Sequence, residues 1–184
     1  MTAQERLRLL AQGNERYAAS SRFTGDISPE RRQSTSAQGQ HPLAIVVCCS
    51  DSRVIPEVLF SCGIGDLFTI QVAGNVLDLH QLGSVEYAAA HLDCPLVVML
   101  GHTFCGAVSA ALSGHDDGYI RFITKEIHRA IGGVTDPAEA TRLNVMHGVH
   151  QLREAFAAHP ELGELTIKGA IYDLCSGRVT WLDG

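Results

Sequence analysis

The chain has 184 residues, of which 46% are hydrophobic, and a formal net charge of −6. This size and apolar content predict one globular domain with a sizeable core, and the acidic balance argues against a nucleic-acid partner, which would require a basic face. No segment approaches the roughly 20 apolar residues that cross a bilayer, and the start of the chain lacks the apolar stretch of a signal peptide. We therefore expect a cytoplasmic protein that has no membrane partner.

The first part of the chain is predicted to be helical and polar. Apolar residues recur near helical spacing over residues 2–18, and Thr2 with Glu5 forms a capping-box pair. Residues 20–41 are rich in Ser, Gln, Arg and Gly and read as a surface segment, in which Ser28 followed by Pro29 is compatible with the start of a short helix.

Strands and helices alternate in the rest of the chain. Continuous apolar runs at 43–49, 67–72 and 96–100 are typical of strands that are covered on both faces. Helical patterns occupy residues 81–92, 106–112, 119–131 and 136–158, and a strand–turn–strand signal covers 165–174 and 178–182. This order predicts a single α/β domain with a central, mostly parallel sheet flanked by helices. We divide it into an N-terminal helical arm, residues 1–40, and an α/β domain, residues 41–184, which contains the motifs that indicate its function.

Two short motifs place metal-binding side chains at the ends of predicted strands. Cys49 ends the first strand run, and His102 and Cys105 follow the third, so all three reach the carboxyl edge of a parallel sheet. Two thiolates and one imidazole suit one Zn²⁺, and three protein ligands leave the fourth tetrahedral position open, as in catalytic zinc sites. Asp51 and Arg53 add an acid and a base beside these ligands. This pair indicates a catalytic site rather than a purely structural one.

Other interpretations of these residues remain open on spacing alone. The cysteines could be inert core residues and His102 a loop histidine whose hydrogen bonds are satisfied. A closed structural zinc site would have to recruit Asp51 or a distant residue, and Asp51 could instead be a turn residue with Arg53 as a surface partner. The convergence of two motifs on one sheet edge favours the metal site.

The two motifs together resemble those of the β-class carbonic anhydrases. The resemblance lies in Cys-Ser-Asp-Ser-Arg at 49–53 and Gly-His-Thr-Phe-Cys-Gly-Ala-Val at 101–108, and it extends to 65–68, 73–75, 84–87, 172–173 and 176–177. It implies one zinc ion per chain on Cys49, His102 and Cys105, and reversible hydration of CO₂ to bicarbonate and a proton by a zinc-bound hydroxide. Asp51 would orient that hydroxide while Arg53 engages it, and would block the site if it moved onto the metal.

The resemblance also implies a substrate pocket. Gln40 stands nine residues before Cys49, as the substrate-binding glutamine does in plant-type members. Phe68 and Tyr87 match apolar pocket positions, although plain core packing is the alternative for both, and the Gly106 N–H matches an oxygen-binding position. In the family a neighbouring subunit completes this pocket, so we expect a homodimer or homotetramer.

Three residues depart from patterns within the family. Val46 stands where one subgroup has the tryptophan of an inhibitory bicarbonate pocket, and Gln71 stands where an arginine is usual in the segment before Ala-Gly-Asn. The chain is therefore predicted to be nearer to the plant-type members and to lack a bicarbonate-triggered inactive state. Ala73 takes the place of a larger valine, which makes the apolar wall roomier. Hydrolysis of carbonyl sulfide or carbon disulfide, or a non-catalytic zinc-binding role, are the alternative functions.

Overall fold

A parallel sheet forms the centre of the molecule in the computed structural model, which describes residues 1–20 and 22–183. Within these residues the sheet has five strands in the order β2-β1-β3-β4-β5. Neighbours among the first four strands run parallel, and β5 pairs antiparallel with β4. The strands are β1 Ala44–Cys48, β2 Leu67–Gln71, β3 Leu96–His102, β4 Thr166–Tyr172 and β5 Val179–Leu182. The predicted α/β fold with a mostly parallel sheet is confirmed.

The helices of the described residues follow the sequence prediction closely. They are α1 Ala3–Ala19, α2 Pro29–Gln38, α3 Pro56–Leu59, α4 Leu79–His91, α5 Gly106–Leu112, α6 Ile120–Ile131 and α7 Pro137–Phe156, with 3-10 turns at Ala73–Asn75 and Pro160–Leu162. The capping box predicted for α1 forms, and the Asp136 side chain caps the start of α7 by accepting from the Glu139 amide. Among these helices, none has the length and apolar character that a membrane crossing demands.

The central strand β1 is buried along its whole length because helices cover both faces of the sheet. Ala44, Val46 and Cys48 point into a core that contains Leu10 of α1 and Phe60. Ile45 and Val47 point into a second core, on the face covered by α4 and α7. Side chains on both faces of the strand are therefore buried. This explains why its sequence is a continuous apolar run and does not alternate between apolar and polar residues.

The N-terminal helix packs against the rest of its own chain. Leu10 is fully buried, and the Asn14 side chain donates to the carbonyl oxygens of Leu59 and Gly177 at 3.1 and 2.9 Å while accepting from the Val179 amide at 2.8 Å. The Arg6 guanidinium donates to the carbonyl of Pro42 at 2.6 Å. Helix α1 is thus part of the principal core, and the division at residue 40 stays a prediction.

Candidate active site

The register between β1 and β3 brings the two sequence motifs together. Cys48 pairs with Leu100 in this parallel ladder, so Cys49 lies opposite Gly101 and beside His102, the last residue of β3. Cys105 directly precedes α5. The ligand atoms of Cys49, His102 and Cys105 all lie within 4.8 Å of one another, and all three residues are buried.

The orientation of the His102 ring leaves one nitrogen free for a metal. Nδ1 lies 2.9 Å from the Thr103 carbonyl oxygen, and because a carbonyl oxygen only accepts, Nδ1 carries the proton. Nε2 is buried and has no hydrogen-bond partner in the described part of the chain. Buried polar atoms are normally satisfied, so an unpartnered nitrogen facing two sulfurs fits a metal ion held by Nε2 and the two sulfurs.

The two ligand sulfurs share their protonation. The Cys105 thiol can donate a hydrogen bond to a Cys49 thiolate, and this interaction sets the pKa of Cys49 well below its ordinary value despite burial. The same interaction, together with burial, raises the pKa of Cys105. The backbone N–H of Gly74 also donates to the Cys49 sulfur, at 3.3 Å. In the metal-free centre one sulfur is therefore a thiolate and its neighbour keeps a proton.

Asp51 and Arg53 form a two-point ion pair at the edge of this cluster. Arg53 Nε lies 2.9 Å from Asp51 Oδ1, and Arg53 Nη2 lies 2.7 Å from Oδ2. This pairing holds the pKa of Asp51 far below its usual range, so the carboxyl is ionised. Its Oδ2 atom lies 4.0 Å from His102 Nε2. Asp51 thus borders the metal-binding atoms while Arg53 holds it.

The predicted substrate residues are divided between two places. Gly106 is exposed and begins α5 next to Cys105. Phe68 and Tyr87 pack against each other with ring centroids 6.1 Å apart, but Phe68 pairs with Ile45 in the sheet. Cys49 is four residues beyond Ile45, which is roughly 13 Å along a strand. Gln40 is exposed and precedes β1. One chain therefore does not bring Gln40, Phe68 and Tyr87 to its own metal cluster.

Two supporting residues escaped the sequence analysis. Gly74 supplies the amide that contacts Cys49, and Thr103 anchors the loop after β3, because its hydroxyl accepts from the Leu174 amide at 3.0 Å and its backbone amide donates to the Tyr172 carbonyl at 2.9 Å. Both lie inside the motifs that carry the resemblance, at 73–75 and 101–108. Their place within these motifs could have drawn attention to them. It does not indicate which atoms either residue contacts.

Comparison with known proteins identifies the family. The family described as carbonic anhydrase matches residues 44–179 of this chain. The chain belongs to the carbonic anhydrase family. The carbonic anhydrase of Mycolicibacterium smegmatis is 39% identical over 183 residues, which covers 92% of this chain and 88% of that protein.

Solved structures narrow the comparison to the β class. The β-carbonic anhydrase of Coccomyxa superposes with a TM-score of 0.73 at 26% identity, covering 84% of this chain and 78% of that one. A tetrameric β-carbonic anhydrase of the ascomycete Sordaria macrospora gives a TM-score of 0.69 at 25% identity, covering 85% and 88%. With the Cys49, His102 and Cys105 cluster, these likenesses make the chain a β-class carbonic anhydrase that uses zinc.

The protonation of the two sulfurs predicts that zinc affinity depends on pH. Zinc binds thiolates, so binding must displace at least the proton that Cys105 keeps in the metal-free protein. Protons compete more strongly as the pH falls, and the affinity should drop by at least about tenfold per pH unit. Competition with a chelator of known affinity at pH 6.5, 7.5 and 8.5 measures this slope.

Replacement of the exposed Cys175 provides the control for that titration. Cys175→Ser should keep both the affinity and the slope, whereas Cys105→Ser should bind zinc more weakly and with a shallower slope. An affinity that stays constant across the three pH values would contradict the assignment of the shared proton.

Proposed function

We propose that this carbonic anhydrase hydrates CO₂ reversibly at the centre formed by Cys49, His102 and Cys105, with Asp51 and Arg53 as its catalytic pair. The observation that carries this proposal is the buried three-ligand cluster bordered by a carboxylate that an arginine holds in place. When bound, Zn²⁺ supplies a Lewis acid that lowers the pKa of a water from about 15.7 towards 7, which provides a nucleophile at neutral pH.

Asp51 acts as a hydrogen-bond acceptor at the open side of the centre. An ionised carboxylate has no proton to donate, so any O–H group at that side must point its proton towards Asp51 and its lone pair elsewhere. Arg53 keeps the carboxylate in this position, because two charge-assisted hydrogen bonds fix both its place and its rotation. The same ion pair keeps Asp51 out of the open fourth position of the metal centre, which the reaction needs.

Gly106 contributes its backbone amide. The first N–H groups of a helix have no partner within the helix, and Gly106 begins α5 beside Cys105. Because residue 106 has no side chain and is exposed, an oxygen of CO₂ or bicarbonate can approach this N–H closely. The amide would hold the substrate while Asp51 orients the attacking group.

We assign Gln40, Phe68 and Tyr87 to the site of a neighbouring subunit in a homodimer or homotetramer. Two observations support this assignment. Phe68 lies roughly 13 Å along the sheet from the level of Cys49. Tyr87 is half exposed, and Gln40 is exposed before β1, which leaves both free to face another chain. The Sordaria relative is a tetramer by its own description.

Two further proposals concern subgroup and compartment. Gln71 donates from its side-chain amide to the carbonyl oxygens of Cys49 and Val54, at 3.4 and 3.3 Å, and so bridges the loop that carries Asp51. This bridge favours the plant-type, open arrangement over a bicarbonate-inhibited one. None of the six cysteines, all of which lie in the described part of the chain, is paired in a disulfide, and this supports a reducing compartment such as the cytoplasm.

The alternative functions receive less support. The curated relatives are named as carbonic anhydrases, not as hydrolases of carbonyl sulfide or carbon disulfide. A non-catalytic zinc protein would have no use for the Asp51–Arg53 pair. Parallel assays of CO₂ hydration and of sulfide release from carbonyl sulfide distinguish a carbonic anhydrase from a carbonyl sulfide hydrolase.

Removing the charge of Asp51 tests its catalytic role. Asp51→Asn keeps the shape of the side chain but loses the ionised acceptor, and we expect kcat/KM for CO₂ hydration to fall about 10- to 100-fold with zinc content unchanged. Stopped-flow assays with a pH indicator measure this rate. Asp66→Asn is the matched control, since Asp66 also pairs with an arginine, Arg31 at 2.6 Å. An Asp51→Asn enzyme as fast as Asp66→Asn would refute the role.

Mixing two inactive variants tests the shared pocket. Cys49→Ser removes a zinc ligand, and Gln40→Ala removes the predicted substrate amide; in a mixed dimer one of the two sites keeps both groups only if they come from different chains. Random reassembly of equal amounts should therefore recover about a quarter of the wild-type activity. Recovery no greater than the sum of the separate variants would place Gln40 outside the partner's site.

A further inference from the structure

We propose that Asn144 on α7 is a positioning residue for the zinc centre, because it fixes the peptide groups around Gly74 and thereby aims the Gly74 N–H at the Cys49 sulfur. The proposal rests on the zinc site described above but not on the identity of the substrate. Asn144 lies outside the motifs that carry the family resemblance, and its side-chain amide donates to the Gly74 carbonyl oxygen.

Gly74 has a backbone conformation that only glycine adopts easily here. It lies in the 3-10 turn after β2 with φ 70° and ψ 13°, and a Cβ at this position would stand 2.9 Å from both Ala107 Cβ and Ile127 Cδ1. Glycine is therefore required by space as well as by dihedral angle. The same lack of a side chain makes its peptide groups easy to rotate, so the orientation of the Gly74 N–H needs an external restraint.

Asn144 provides that restraint from the opposite side of the glycine. Its Nδ2 atom donates to the Gly74 carbonyl oxygen at 2.9 Å, and Asn144 is 5% exposed. The Gly74 N–H donates to Cys49 Sγ at 3.3 Å. One buried hydrogen bond thus holds the carbonyl on one side of the Gly74 Cα atom, and the N–H on the other side is held towards the sulfur.

The hydrogen bond to sulfur has a consequence for the metal. An N–H that donates to a thiolate withdraws electron density from it, which changes how strongly the sulfur donates to a bound ion and how readily it takes up a proton. If the Gly74 peptide rotates, Cys49 loses this partner without any change in its own position. Asn144 would therefore act on the electronic state of a ligand through one intervening residue.

Helix α7 packs against both segments that carry the metal ligands, the one around Cys49 and the one around His102. Val145, the residue after Asn144, packs on Gly101, where a Cβ would lie 2.4 Å from Val145 Cγ2, and Gly101 precedes the ligand His102. Consecutive residues of one helix therefore contact the glycine before His102 and the glycine beside Cys49. This arrangement explains why a polar residue occurs in a helix segment that is otherwise packed against the sheet.

The test compares variants of α7 that differ in this one hydrogen bond. Asn144→Leu replaces the amide by an apolar group of similar size, and Asn144→Ser removes the amide donor with a smaller side chain. Thr141→Val is the control, because Thr141 is also buried on α7 but its hydroxyl donates within the helix, to the Pro137 carbonyl at 2.8 Å. Circular dichroism and thermal melting first establish which variants are folded.

Two readouts that do not depend on activity then report on the centre. Chelator competition should show about 10- to 100-fold weaker zinc binding in the folded Asn144 variants and wild-type binding in Thr141→Val. In the cobalt-substituted protein, loss of the N–H to sulfur should shift the thiolate-to-cobalt charge-transfer band to longer wavelength. A structural defect that leaves the Gly74 N–H on the sulfur would not move this band.

The results separate the proposal from its competitors. Weaker zinc binding together with a shifted cobalt band, in either folded variant, supports the positioning role. Wild-type affinity and an unshifted band would overturn it. Loss of folding in both Asn144 variants, with Thr141→Val folded, would also overturn it by assigning Asn144 to general stability. CO₂ hydration can fail in the wild type without affecting any of these outcomes.

Discussion

The parallel pairing of β1 with β3 is the constraint on which the centre depends. It sets Cys48 against Leu100, so that Cys49, one residue further along, and His102, two residues further along, meet at the same edge of the sheet. Neighbouring strands lie about 4.8 Å apart, which suits two ligands of one ion. Successive side chains point to opposite faces of a sheet. A register shift of one residue would therefore place the Cys49 side chain in the buried core that now holds Cys48.

Adjacent cysteines in this chain show how local surroundings decide chemistry. Burial raises the pKa of the Cys48 thiol to about 12, and that of Cys62 likewise to about 12, so both remain inert thiols in the core. Cys49 is also buried, yet its pKa is lowered by the Cys105 thiol, with help from the Gly74 amide. The sequence neighbours differ because one side chain faces apolar groups and the other faces hydrogen-bond donors.

Much of this arrangement could be predicted from the sequence. Strand and helix positions follow from long apolar runs and from helical periodicity, and the ligands follow from their places after two strands. Helix α3 was not predicted, because a segment of four residues, Pro56–Leu59, is too short to show a period. The contact of Asn144 with Gly74 joins residues 70 positions apart and leaves no local pattern.

The substrate residues illustrate a different limit. Motif matching grouped Gln40, Phe68 and Tyr87 with the metal ligands, but the register separates Phe68 from Cys49 along the sheet. A linear pattern does not record how far apart its residues lie in the folded chain. The geometry of the single chain shows that Phe68 lies well away from its own metal cluster, because a strand has a fixed rise per residue.

Exchange of ¹⁸O between labelled CO₂ and water, followed by mass spectrometry, tests the central claim most directly, since it detects hydration and dehydration at chemical equilibrium. The account predicts that the zinc-loaded protein depletes ¹⁸O from CO₂ far faster than buffer does, that removal of zinc abolishes this rate, and that restored zinc returns it. A zinc-loaded protein that exchanges ¹⁸O no faster than its metal-free form would contradict the account.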